Sequence, residues 1–148
     1  MKRYLKGISP KSAIDVYDTS KEDLSKFLYR QGIYRYFPEY ETYIIRVDIT
    51  GVIKDKKQCI LAFVECKLQS VTLKDISQLL GYSKVVRPLY SIIISPRGIS
   101  PAVNSLIKVF RRYDILEYYN NRKIRIAEWN EGRKEIRYSS LLPPGKHP

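Results

Sequence analysis

The chain has 148 residues, which suits one domain with a sizeable core. Lys and Arg number 27 against 15 Asp and Glu, a formal charge of +12 that favours a polyanionic partner, nucleic acid first and an anionic membrane surface second. No stretch reaches the apolar length of a spanning helix and no signal-like run follows Met1, so a soluble, cytoplasmic protein is expected; two cysteines and one histidine exclude a disulfide framework and a tetrahedral zinc or iron–sulfur site.

Residues 1–18 read as a basic lead-in, residues 19–140 as the folded domain and residues 141–148 as a flexible tail. Lys2, Arg3, Lys6 and Lys11 in the lead-in, interrupted by Gly7 and Pro10, suit either an arm on a nucleic-acid backbone or a solvated tail. Ser20 then reads as a helix N-cap, with Asp23 in the capping-box position. Leu24, Phe27 and Leu28 make the apolar stripe, and Gly32 ends the helix. Residues 33–41, with Tyr34, Arg35, Tyr36, Phe37 and Tyr40, read as a loop or edge strand that either stacks on exposed bases or packs around a small core.

Residues 43–53 are β-branched and aromatic and read as a strand; residues 54–58 are polar; residues 59–67 form a second strand. This is an antiparallel hairpin. With the tip of the turn between Lys56 and Lys57, Ile53 faces Ile60 and Asp48 falls opposite Glu65, Cβ atoms roughly 5 Å apart. Alternation puts Glu65 and Lys67 on one face and Val64 and Cys66 on the other. Two carboxylates so placed repel unless one gains a proton or a cation binds between them, and Mg²⁺ asks for one or two carboxylates with waters and a substrate phosphate. Lys67 would orient or help deprotonate a water or neutralise a phosphate. Arg46 would lie on the Asp48 face, opposite Lys67, and meet a phosphate there.

Thr72, with Asp75 at the box position, caps a second helix whose buried stripe is Leu73, Ile76, Leu79 and Leu80. Gln78 and Tyr82 share its other face, and Arg87-Pro88 stops it. Residues 89–95 read as a central strand covered on both faces, reached by a parallel crossover. Ser100 and Pro101 open a third helix with Val103, Leu106, Ile107 and Phe110 inward, and Lys108, Arg111 and Arg112 forming a phosphate-contacting ridge. Residues 115–119 and 122–129 form either a hairpin about Asn120-Asn121 or, in their first part, a continuation of that helix. Residues 122–126 alternate as a strand with a cationic face.

An Asp at the end of one strand, a hairpin, then Glu65-Cys66-Lys67 and an amphipathic helix resembles the PD-(D/E)XK nuclease superfamily, and most nearly the archaeal Holliday junction resolvases and related small nucleases. Val47 stands where the family pattern has Pro. The Gln78 and Tyr82 spacing is similar to a motif of the RecB-like branch. The resemblance implies a single α/β domain, restriction-endonuclease-like, with a mixed central sheet flanked by helices. It implies a Mg²⁺- or Mn²⁺-dependent DNA endonuclease, a homodimer if it is junction-selective. Asp48, Glu65, Lys67 and Gln78 would be catalytic. The metal would be held by Asp48, Glu65, the backbone carbonyl of Cys66 and, as the upstream helical acid, Glu22, although an acid there also suits the helix dipole. Arg46, Gln69, Tyr82, Lys108, Arg111 and Arg112 would contact DNA. A RecB-like or restriction-type nuclease is the alternative within the superfamily; a non-catalytic DNA-binding module keeping the fold is the alternative outside enzymology.

Overall fold

The computed structural model describes residues 13–54 and 58–145, so the basic arm of residues 1–12, the turn at Lys56 and Lys57, and residues 146–148 of the tail lie outside the described residues. The protein is a mixed α/β structure whose chain divides into two compact units, residues 1–64 and 65–148.

The first unit holds an antiparallel meander in the order β1 (Ala13–Asp18), β2 (Ile49–Lys54) and β3 (Cys59–Cys66), the last two residues of β3 opening the second unit. The hairpin register is the expected one: Ile53 faces Ile60, and the ladder runs to Ile49 opposite Val64. β1 lies inside the stretch read as lead-in and pairs with β2, Ala13 opposite Lys54 through Asp18 opposite Ile49. Helix α1 (Leu24–Arg30) buries Leu24, Phe27 and Leu28, with the Tyr17 ring edge-on to Phe27 at 5.1 Å.

Two expectations fail here for one physical reason. The helix starts four residues after Ser20, with Asp23 as N-cap and no side-chain cap bond. Its first amide groups are instead satisfied by backbone: Leu24 N donates to Ile45 O and Ser25 N to Tyr43 O. Those carbonyls are thereby lost to a sheet ladder, so residues 43–48 are irregular and β2 begins only at Ile49. Thr19 adds to this, its hydroxyl donating to Val47 O at 2.6 Å and its amide to Asp48 O at 3.0 Å.

The second unit begins with residues that run parallel to the end of the next strand: Lys67 N donates to Ile94 O, and Val71 bridges Ile99. Helix α2 (Leu73–Val86) has the expected capping box, with Thr72 accepting from Asp75 N and the Asp75 side chain accepting from Thr72 N. Ile76, Leu79, Ser83 and Val86 are buried, whereas Leu73, in the first turn, is 43% exposed. Strand β4 (Tyr90–Ser95) pairs in parallel with β7 (Arg125–Asn130), and β8 (Glu135–Leu142) pairs antiparallel with β7.

Ser100 caps helix α3 (Pro101–Asn104), which widens into a π turn over Ser105–Val109, Phe110 N donating to Ser105 O. That extra residue per turn rotates Phe110 off the buried Val103 and Ile107 line, and it is 69% exposed rather than part of the stripe. Of the two alternatives the hairpin forms, but shorter than 115–119 with 122–129: β5 (Glu117–Tyr119) pairs with β6 (Arg122–Lys123), and the chain from Arg125 joins β4 and β8 instead; Asn120 and Asn121 take φ +44° and +63°, the left-handed pair that a two-residue type I′ turn requires. Arg125, read as part of a cationic face, is buried, and its guanidinium donates to the carbonyls of Pro143 and Gly145.

Candidate functional site

In the second unit, Glu65 is the next-to-last residue of β3, Lys67 is the first residue after the strand, and Asp75 occupies the third position of α2. The three converge. Lys67 Nζ lies 3.4 Å from Glu65 Oε1 and 3.6 Å from Asp75 Oδ1. Glu65 is 5% exposed, an uncommon depth for a carboxylate. Burial alone pushes the Asp75 carboxyl up, but hydrogen bonds from the Thr72 hydroxyl and amide and the charge of Lys67 outweigh it and hold the group below the ordinary aspartate value. Asp75 thus does two jobs, capping α2 and flanking the lysine. Sequence reading gave it only the first, because a Thr-x-x-Asp spacing fully accounts for a cap and says nothing of the eight-residue reach back to Lys67.

Several other sequence candidates of this unit have partners of their own. Gln69 accepts a 2.6 Å bond from Arg97 Nη1 through its side chain and one from the Ser95 hydroxyl through its carbonyl. Gln78 donates to the Tyr82 hydroxyl at 3.2 Å, as their one-turn spacing on α2 allows. The Cys66 side chain is exposed. Lys108 borders a cavity of about 130 Å³ with Ile99, Ile126, Ala127 and Glu128. The ridge of three cations is not helical: the π turn ends at Val109, Arg111 takes φ +55°, and Arg112 forms a two-pronged ion pair with Asp114 at 2.8 Å.

In the first unit, Asp48 sits immediately before β2, its carbonyl held by the Thr19 amide. Arg46 is on the irregular segment rather than a strand and pairs with Asp23 at 2.9 Å. Glu22 precedes α1 instead of lying on it and is clasped by the Arg30 guanidinium through both carboxylate oxygens. Glu22 is therefore not the helical acid that the family pattern places upstream, and its carboxylate is paired with Arg30.

Among the described residues no group of three or more His, Cys, Asp or Glu side chains is set to hold a metal ion. A hard cation needs no such group: one or two carboxylates with waters and phosphate suffice, and the buried carboxylate of Glu65 is of that chemistry. Comparison with known protein families, with curated protein sequences and with solved structures finds no match to this chain. No helix among the described residues is long and apolar enough to cross a membrane.

Proposed function

We propose that this protein is a DNA nuclease dependent on Mg²⁺ or Mn²⁺, hydrolysing phosphodiester bonds with Asp48 and Glu65 as metal-binding carboxylates, joined by the Cys66 carbonyl, and Lys67 as the cation of the site. The observation that carries the reading is the ammonium of Lys67 held between a buried Glu65 and Asp75. A buried acid–lysine pair gives little net stability, because desolvation offsets the attraction, so its presence at a strand end points to chemistry. The charge of +12 supports a polyanionic substrate.

In hydrolysis, water adds to phosphorus, one P–O ester bond breaks, and the departing oxygen takes a proton. The bound cation supplies positive charge at the phosphate and lowers the pKa of water. Lys67 donates N–H bonds to a phosphate oxygen or to the attacking water, while Asp75 and Glu65 fix where its ammonium stands. Basic residues elsewhere hold the backbone and carry no sequence preference. Junction selectivity, and with it a homodimer that cuts two symmetric strands, is the finer form of this reading.

The test is cleavage of labelled four-way junction, linear duplex, single-stranded and supercoiled DNA with Mg²⁺ or Mn²⁺, wild type beside Glu65→Ala and Lys67→Ala. Cutting abolished by either change supports a nuclease, and paired nicks on the junction alone support a resolvase. No cutting by wild type with any form or metal, while all three proteins bind DNA equally, would leave a DNA-binding module and overturn the reading.

A further inference from the structure

The first unit carries a feature that hydrolysis does not use. Three tyrosine rings form a ladder: Tyr29 on α1 lies 5.3 Å from Tyr34, centroid to centroid and 30° from parallel, and Tyr34 lies 5.2 Å from Tyr40. The chain builds this ladder by closing back on itself. Gly32 at φ +66° ends α1, two 3₁₀ turns (Tyr34–Tyr36 and Tyr40–Thr42) follow, and the Tyr43 and Ile45 carbonyls then cap the first amides of α1. Tyr40 and Glu41 are thereby brought to the side of α1 that carries Ser25, Lys26 and Tyr29, and these five residues line an open cavity of about 320 Å³.

From this arrangement we infer that the ladder is a stacking platform for an unpaired nucleobase of a DNA strand. The inference rests on nucleic acid being the partner proposed above. Tyr29 is 64% exposed and stands at one end of the ladder, its ring stacked on that of Tyr34. A base has a π face of the same kind, and stacking is tolerant of base identity. Bases inside a duplex already stack on one another and cannot lie on the ring, so the platform takes single-stranded or extruded nucleotides only. Lys26, whose side chain is 74% exposed at the cavity edge, supplies a cation for the adjoining phosphate. The Ser25 hydroxyl and Glu41 carboxylate offer polar groups to the edge of the base.

Fluorescence anisotropy in EDTA, with a labelled single strand and the same sequence as blunt duplex, tests this without any hydrolysis. Tyr29→Ala should weaken single-strand binding roughly tenfold and leave duplex binding unchanged, and Tyr29→Phe should restore it, because the ring and not the hydroxyl is at work. Tyr29→Ala binding the single strand as wild type does, or losing both forms equally, overturns the platform. A protein that cuts DNA yet is indifferent to Tyr29→Ala would retain the nuclease reading and lose this one. One that shows the Tyr29 effect yet cuts nothing would do the reverse.

Discussion

Lys67 Nζ stands 3.6 Å from Asp75 Oδ1, and the same carboxylate accepts bonds from the Thr72 amide and hydroxyl at 2.8 and 2.6 Å. Removing the charge with Asp75→Asn weakens the cap and the ion pair together, and a loss of about 1 kcal/mol is expected at neutral pH. The pH dependence follows from a carboxyl held below its ordinary value. The unfolded chain takes up the proton first as pH falls, so the contribution is complete above the ordinary aspartate value and is lost as pH drops through the folded one. Urea denaturation of wild type and Asp75→Asn at pH 7 and at successively lower pH should show the gap closing; a gap that stays constant into acid would mean that Asp75 acts through shape alone.

In the first unit, the Thr19 hydroxyl bonds Val47 O at 2.6 Å and the Thr50 hydroxyl at 2.8 Å, with both threonines fully buried. Thr19→Val keeps the volume and strands a carbonyl and a hydroxyl without water, which costs about 2–3 kcal/mol, whereas Thr19→Ser keeps the bonds and should lose less than half of that. Chemical denaturation measures both. On the proposed function the valine change also loosens the segment that presents Asp48, so cleavage should fall more for valine than for serine.

Tyr118 is 7% exposed and donates to the Pro88 and Leu89 carbonyls at 3.0 and 3.3 Å. Burial pushes its hydroxyl up to about 12. The unfolded chain therefore releases this proton near the ordinary tyrosine value while the folded one keeps it. Stability from this group is full below about pH 10 and declines as pH rises toward 12, by on the order of 2–3 kcal/mol. The quantity to follow is the difference between wild type and Tyr118→Phe. That difference should shrink with pH; if it were flat, the hydroxyl would not be buried as described.

What could be read in the sequence was local. The Thr72 and Asp75 box, the Ser100 and Pro101 start, the Asn120-Asn121 turn and the hairpin register each depend on residues close together in the chain, and each is found. What could not be read depended on distant partners. Residues 13–18 are short and show no clean polar–apolar alternation, and only pairing with β2, more than 30 residues on, makes them a strand. Residues 43–47 have strand composition, yet their carbonyls serve α1. Phe110 keeps helical spacing in sequence and loses it through one π turn. Of the candidate site, Lys67 beside Glu65 follows from the period of a strand, while Asp75 beside Lys67 needs the folded chain.

Gly81 lies inside α2, five residues before its end, and a methyl group built on it would meet nothing within 4 Å. Its φ is not in the left-handed region, so no turn or close approach requires glycine there. In an exposed helix interior the extra backbone freedom of glycine in the unfolded chain is a net loss. Gly81→Ala should therefore raise stability by about 0.5–1 kcal/mol, seen as a higher denaturation midpoint with an unchanged slope. Gly81 is also one residue from Tyr82, which shares a helix face with Gln78. If that face contacts the DNA backbone closely, the added methyl stabilises the protein and yet weakens binding; a gain in stability with binding unaltered would remove this face of α2 from the interface.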